Sequence, residues 1–154
     1  MSLEIERQFI LKQIPQDLED HFHVEIRQGY LSVTEHEEVR IRALAGGYSL
    51  TLKQGQGLVR KEINVDLQED QFEKLWPGTE GRRINKTRYF YLYNNQQLHI
   101  DIYGGELHGL NVVEVEFRSR QEANAFVVSE MFGDEITDTG SFFHLATLRK
   151  QVDG

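Results

Sequence analysis

The sequence predicts an α+β protein in which antiparallel strands outnumber helices. Two features of the 154-residue chain lead to this prediction. Short runs in which apolar and polar side chains alternate follow one another along most of the chain, which is typical of strands that pack one face against a core. Glycine clusters separate several of these runs and favour hairpin turns; they are Gly46-Gly47, Gly55 with Gly57, and Gly104-Gly105.

The alternation predicts eight strands. They span residues 3–11, 24–33, 37–45, 48–54, 58–67, 82–93, 97–103 and 111–118.

Two short helices are predicted in the first half of the chain. Pro15 can begin a helix that carries Leu18 and Phe22. The second helix ends at Pro77-Gly78 and has an apolar stripe at i, i+3, i+4 spacing, formed by Phe72, Leu75 and Trp76.

The strongest helix signal lies near the carboxyl end of the chain. Ser119 and Glu122 form a capping box, and Gly133 can end the helix. One face of this helix is apolar and consists of Ala123, Phe126, Val127 and Met131. Residues 141–150 also have apolar side chains at helical spacing, which predicts either a fourth helix or a packed tail.

The composition indicates one soluble globular domain, residues 1–154. Hydrophobic residues make up 39% and charged residues 27% of the chain. Glu4 and Glu6 occupy a segment where a secretory signal needs basic residues, and no apolar run is long enough to span a membrane, so we expect a cytoplasmic protein without a membrane partner. The absence of cysteine excludes disulfides, thiolate zinc sites and cysteine nucleophiles.

The net charge of −8 argues against nucleic acid as a partner, so any small anionic ligand must be held by local positive charge.

Nearly every predicted strand has one charged face, because residues i and i+2 lie on the same side of a sheet. These faces carry Glu4, Glu6, Arg40, Arg42, Lys53, Arg60, Glu62, Asp66, Lys86, Arg88, Asp101, Glu114 and Glu116. Two architectures fit the pattern. One is an open antiparallel sheet whose charged face is solvated. The other is a closed barrel with a charged interior, for which eight strands are enough.

Several like charges repeat at i, i+2 spacing: Glu4 with Glu6, Arg40 with Arg42, Lys86 with Arg88, and Glu114 with Glu116. Such neighbours repel each other, so their repetition suggests ligands of opposite charge. Phosphate oxygens would suit the cations, and a divalent metal would suit the carboxylates. Oxygen ligands favour Mg²⁺ or Mn²⁺ over Zn²⁺.

The order of these residues resembles the CYTH superfamily, also called the triphosphate tunnel metalloenzymes. Glu4-Ile5-Glu6-Arg7-Gln8 is similar to the family's Glu-any-Glu-any-Lys, with Gln8 where the family has Lys. Further elements follow in family order: Arg40-Ile41-Arg42, Thr51-Leu52-Lys53, Glu62, Lys86-Thr87-Arg88, Asp101 and Glu114-Val115-Glu116. Three other stretches resemble short bacterial members that hydrolyse inorganic tripolyphosphate: residues 27–31, 72–77 and 80–83.

The resemblance implies a closed eight-stranded antiparallel β-barrel that encloses a tunnel. It also implies hydrolysis of inorganic tripolyphosphate or a related triphosphate with Mg²⁺ or Mn²⁺. Class IV adenylyl cyclase, thiamine triphosphatase and a noncatalytic polyphosphate- or nucleotide-binding protein are the alternatives. Near the carboxyl end, Phe142-Phe143-His144 stands where the family commonly has Tyr-any-Asn.

The same resemblance implies a role for each charged position. Substrate phosphates would contact Gln8, Arg40, Arg42, Lys53, Lys86 and Arg88. Metal would be held by Glu4, Glu6, Glu114 and Glu116. The catalytic residues would be Glu114, Glu116 and Lys86, with one of the two carboxylates orienting the attacking water. Supporting roles would fall to Arg60, Glu62 and Asp101. Because Gln8 has no charge, we expect its phosphate contact to be weaker than that of a lysine.

Overall fold

The computed structural model describes residues 2–55 and 58–137. Its strands are β1 (Ser2–Leu11), β2 (His23–Val33), β3 (Glu37–Leu44), β4 (Gly47–Gln54), β5 (Val59–Leu67), β6 (Arg83–Tyr93), β7 (Gln96–Tyr103), β8 (Asn111–Glu116) and β9 (Phe132–Glu135). The helices are α1 (Glu69–Leu75) and α2 (Arg120–Ala125), and 3₁₀ segments span Leu18–Asp20, Trp76–Thr79 and Gly105–Leu107. All eight predicted strands are confirmed, as β1 to β8.

The eight strands form a closed antiparallel barrel. Their order is β5-β4-β3-β2-β6-β7-β8-β1, and the barrel closes where β1 also pairs with β5. Residues 2–5 of β1 pair with residues 59–62 of β5, whereas residues 6–10 pair with residues 112–116 of β8. The charged side chains of these faces, except Asp66, line the barrel interior or are buried beside it, so the open sheet with a solvated charged face is excluded.

Two apolar clusters support the barrel. On its outer side, Phe9, Leu98 and Val113 belong to a buried cluster that also holds Leu18 and Phe132 from flanking segments.

The second cluster borders the interior. It contains Tyr30, Tyr103 and Val112, which also line the central cavity, together with Leu107 and Leu110 from the connection between β7 and β8. This cluster forms one wall of the cavity.

Both helices predicted in the first half of the chain differ from their predictions: the first is only a short 3₁₀ segment, and the second does not end at Pro77-Gly78. The one at Pro15 is a 3₁₀ segment at Leu18–Asp20, and Phe22 lies outside it and is 70% exposed. After α1, the chain continues through Pro77-Gly78 as a 3₁₀ segment rather than ending there. Fully buried Phe72 anchors α1 against Tyr48, with ring centroids 5.0 Å apart.

The prediction of a long helix up to Gly133 was wrong. Ser119 caps α2 by accepting a hydrogen bond from the Glu122 backbone, as expected, but α2 ends at Ala125. Phe126 adopts an extended conformation and packs against Phe117, with ring centroids 5.5 Å apart. The packing of partly buried Phe126 against the core therefore outweighs continuation of the helix, and the next regular element is β9, which begins at Phe132.

The predicted segment 141–150 and the residues Phe142-Phe143-His144 lie outside the described residues. Within residues 2–55 and 58–137, no helix has the length and apolar character needed to cross a membrane.

Candidate active site inside the barrel

The barrel encloses a cavity of about 100 Å³. Its lining includes nearly all the predicted site residues: Glu4, Gln8, Arg40, Arg42, Lys53, Arg60, Glu62, Lys86, Arg88, Asp101, Glu114 and Glu116. Glu6 is buried beside them and lies 3.7 Å from Lys53, measured from Oε1 to Nζ. Asp66 is different. It lies on the charged face predicted from the sequence, but it is exposed and outside the cavity.

Carboxylates from two neighbouring strands meet at one side of the cavity. Glu4 and Glu6 come from β1 and Glu114 from β8, and one oxygen of each lies within 4.8 Å of the others. We call these three residues the acidic group. Lys53 lies against it, with Nζ 2.9 Å from Glu4 Oε1. Strand pairing positions the group, because Glu6 lies opposite Glu116 and Gln8 opposite Glu114.

The carboxylates of the acidic group have pKa values shifted in opposite directions. Burial and the negative charge of Glu114 raise the pKa of Glu6 well above its ordinary value. Burial acts to raise the pKa of Glu114, but the Arg88 and Lys53 charges together with hydrogen bonding from His99 and Glu6 hold that pKa well below the ordinary value. Oε2 of Glu6 is buried without a hydrogen-bond partner among the described residues. An unpaired buried oxygen beside two further carboxylates fits a divalent cation.

His99 lies next to the carboxylates on this side of the cavity. Its Nδ1 lies 3.9 Å from Glu114 Oε1, and His99, Glu114 and Glu116 form a second group of possible metal ligands whose atoms lie within 4.8 Å of one another. Glu116 is more exposed than Glu114, and burial and the Glu114 charge raise its pKa.

The cations of β6 are organised by a single carboxylate, that of Asp101 on β7. Lys86 Nζ lies 2.9 Å from Asp101 Oδ2, and Arg88 contacts both carboxylate oxygens. Burial lowers the pKa of Lys86 to about 7 despite the neighbouring Asp101. Asp101 is itself buried, but Arg88 and Lys86 hold its pKa below the usual range.

Arg40 and Arg42 project from β3 and lie beside β2. Arg42 Nε donates to Gln28 Oε1 at 2.9 Å, and Gln28 Nε2 donates to the Tyr30 hydroxyl at 3.3 Å. Burial lowers the pKa of Arg42 to about 9, and the positive charge of Arg40 adds to the effect. Nε of Arg40 is buried with no hydrogen-bond partner in the described chain. These arginines therefore retain donor capacity for an anion.

Arg60 and Glu62 on β5 have separate partners. Arg60 Nη1 donates to Glu38 Oε1 at 3.1 Å, whereas Glu62 Oε1 accepts from Asn64 Nδ2 at 2.6 Å. Glu38 is 4% exposed, and its Oε2 has no hydrogen-bond partner among residues 2–55 and 58–137.

A family model described as the CYTH domain matches residues 2–141. The chain belongs to the CYTH domain family.

Relatives of this CYTH chain include an inorganic triphosphatase of Nitrosomonas europaea. The two are 44% identical over 137 residues, which is 88% of this chain and 89% of that protein. The crystal structure of an inorganic triphosphatase matches with a TM-score of 0.67 and 38% identity, covering 96% of this chain and 95% of the other. A protein from Pyrococcus horikoshii OT3 is 16% identical, with a TM-score of 0.58 over 87% of this chain and 96% of the other, and shows the shared fold alone.

Five residues that line the described cavity were not predicted as site residues: Gln28, Tyr30, Glu38, Tyr103 and Val112. His99, beside Glu114, was also not predicted as one. Each of these residues lies at i, i+2 spacing from another interior position on its strand, so alternation was the signal that could have identified them. Glu38, for example, precedes Arg40 by two residues, and His99 precedes Asp101 by two.

Proposed function

We propose that this chain hydrolyses inorganic tripolyphosphate with the help of a divalent cation inside the barrel. The proposal depends mainly on one observation: Glu4 and Glu114 of the acidic group line the same small cavity as the cations of β3 and β6, and Glu6 is buried beside them. The sequence match at 44% identity and the structure match at 38% identity both carry the name inorganic triphosphatase.

The arrangement suits phosphoryl transfer, which needs mainly positioning and neutralisation of negative charge. Arg40, Arg42 and Arg88 would bind the non-bridging oxygens, and Lys53 would complete the positive lining. Arg60 would also face the substrate, with Glu38 holding its guanidinium. Asp101 would keep Lys86 and Arg88 oriented before substrate arrives, which avoids reorganisation during the reaction.

Glu4, Glu6 and Glu114 would hold Mg²⁺ or Mn²⁺, with Glu116 beside them. When bound, such a cation supplies positive charge to the phosphate oxygens and polarises the group that is attacked. The oxygen ligands suit both metals, while the nearby His99 imidazole makes Mn²⁺ the better match.

Water activation would fall to Glu116. Its raised pKa makes it a stronger base than an ordinary glutamate, and its greater exposure leaves room for a water molecule. Glu114 is less suited because the Arg88 guanidinium stabilises its charged form. Lys86 would donate a hydrogen bond to the phosphoryl oxygen on which charge develops.

The shape of the cavity favours an inorganic substrate over a nucleotide or thiamine triphosphate. Its volume of about 100 Å³ is well below the roughly 300–1,000 Å³ of pockets that enclose drug-sized ligands. Charged and amide side chains dominate the lining, and Val112 is the one aliphatic side chain in the part described. Glu62 would support the cavity wall through Asn64 rather than contact substrate.

The test is release of orthophosphate from tripolyphosphate, ATP and thiamine triphosphate, each with Mg²⁺, with Mn²⁺ and with chelator. We expect metal-dependent release from tripolyphosphate that Glu114→Gln abolishes. Asp66→Asn is the matched control, because Asp66 lies outside the cavity. Faster release from ATP or thiamine triphosphate would replace the substrate assignment, and binding of tripolyphosphate without any release would indicate a noncatalytic binder.

A further inference from the structure

Gln8 occupies the position where the resemblance predicts a phosphate-binding lysine, but it contacts the acidic group. Its Nε2 donates to Glu114 Oε2 at 3.1 Å. The backbone of Gln8 is fixed by the segment after β9, since its N–H donates to Thr137 Oγ1 at 3.2 Å and its carbonyl accepts from Ile136 at 2.7 Å. These backbone contacts therefore fix the position from which the Gln8 side chain extends toward the Glu114 carboxylate.

Two cations already lie against the carboxylates. Lys53 Nζ is 2.9 Å from Glu4 Oε1, and Arg88 Nη2 is 3.6 Å from Glu114 Oε2. A lysine at position 8 would bring a third positive charge to the same oxygens. That charge would compete with a metal ion for the carboxylates and repel it at short range in a buried site. Glutamine keeps a hydrogen-bond donor without the competing charge.

We propose that Gln8 is a positioning residue of the metal site: its amide orients Glu114, and its neutrality raises the affinity of the acidic group for a divalent cation. This inference rests on the proposed function. It differs from the expectation that Gln8 is a weakened phosphate ligand, because Gln8 now acts on substrate through Glu114 and the cation held there.

The test measures Mn²⁺ binding to the full chain without substrate, by calorimetry and by the electron paramagnetic resonance signal of free Mn²⁺. Gln8→Lys should raise the dissociation constant about tenfold or more, because it adds a charge beside the ligands. Gln8→Met, which loses the hydrogen bond but adds no charge, should raise it about threefold. Gln121→Lys is the control, since it makes the same charge change at an exposed position on α2.

The outcomes separate this inference from the proposed function. Equal Mn²⁺ affinity in wild type, Gln8→Lys and Gln8→Met, with binding intact, would overturn the role of Gln8 and leave the proposed function standing. Absence of Mn²⁺ binding in wild type, together with no phosphate release, would overturn the proposed function itself. If thermal melting shows that Gln8→Lys does not fold, the test depends on Gln8→Met. A Mn²⁺ dissociation constant of Gln8→Met equal to that of wild type then overturns the inference.

Discussion

Arg88 holds Asp101 with two hydrogen bonds, from Nε to Oδ1 at 2.8 Å and from Nη2 to Oδ2 at 2.9 Å. Lys86 shares Oδ2 of the same carboxylate. One buried anion therefore fixes the direction of two buried cations that face the cavity.

We expect Asp101→Asn to destabilise the fold by about 3–5 kcal/mol, because it leaves two buried cations facing a neutral amide. Urea unfolding at neutral pH measures this loss. Asp66→Asn removes an exposed carboxylate and should change the free energy of unfolding by about 0.5 kcal/mol or less. Similar stabilities for the two variants would contradict the central role of Asp101.

Proton uptake should accompany binding of tripolyphosphate above neutral pH. Burial lowers the pKa of Lys86 to about 7, so at about pH 8 much of this side chain is neutral in the free protein. A bound polyanion favours the charged form, and the protein should take up a proton. Calorimetry without metal, in buffers of different ionisation enthalpy, measures the uptake. Lys86→Arg should lack it, because arginine stays charged; equal uptake in both proteins would contradict the prediction.

The same pKa affects stability in a defined direction. Lysine in the unfolded chain titrates near its ordinary 10.5, whereas Lys86 in the fold titrates near 7. The unfolded state therefore binds more protons between these values, and stability from this group rises with pH across that window. Lys86→Arg should remove that rise, which pH-dependent urea unfolding measures. A rise of equal size in the variant would assign it to another group.

Glu6→Gln should separate stability from metal binding. The variant replaces a buried carboxylate, whose Oε2 has no partner in the described chain, with a neutral amide. We expect metal-free stability to be unchanged or to rise by about 1 kcal/mol, because a buried like charge beside Glu114 is removed. Mn²⁺ should raise the melting temperature of wild type but not of Glu6→Gln. Equal stabilisation of both proteins by Mn²⁺ would exclude Glu6 as a ligand.

Gly29 should not tolerate a side chain. A Cβ at this position would lie 2.5 Å from Thr79 Cβ, so the 3₁₀ segment Trp76–Thr79 would have to move away from β2. We expect Gly29→Ala to destabilise the fold by about 1–3 kcal/mol through overpacking. Gly104→Ala is the control, since its nearest neighbour would be the Asn85 carbonyl oxygen at 3.9 Å. Urea unfolding should distinguish the two, and equal stabilities would contradict the close packing of Gly29.

The strands could be predicted from sequence because alternation is a local property. Each strand of the barrel has one apolar and one charged face, and the period of two makes both visible without knowledge of the fold. Closure of the sheet into a barrel could not be predicted from this alternation. It depends on pairing between β1 and β5, and the alternation is the same for a solvated and an enclosed charged face.

The features that the sequence did not predict correctly depend on contacts between residues far apart in the chain. The capping box at Ser119 starts α2 correctly, but the aromatic contacts of Phe126 end it early. Asp66 shares the face of Glu62 but lies far enough along β5 to reach solvent. Partner choice was also invisible: Gln8 faces Glu114 because β1 and β8 are neighbours, which no local pattern encodes.

The pairing of β1 has a consequence for synthesis of the chain. β1 leaves the ribosome before all of its partners, β5, β8 and β9, and Glu6 lies opposite Glu116 in the finished barrel. A nascent chain that stops before β8 lacks Glu114, and β1 and β7 keep open edges that can pair with other chains. Such distant pairings also slow folding. Assembly of the acidic group is therefore a late event, and truncated chains are the ones most exposed to aggregation.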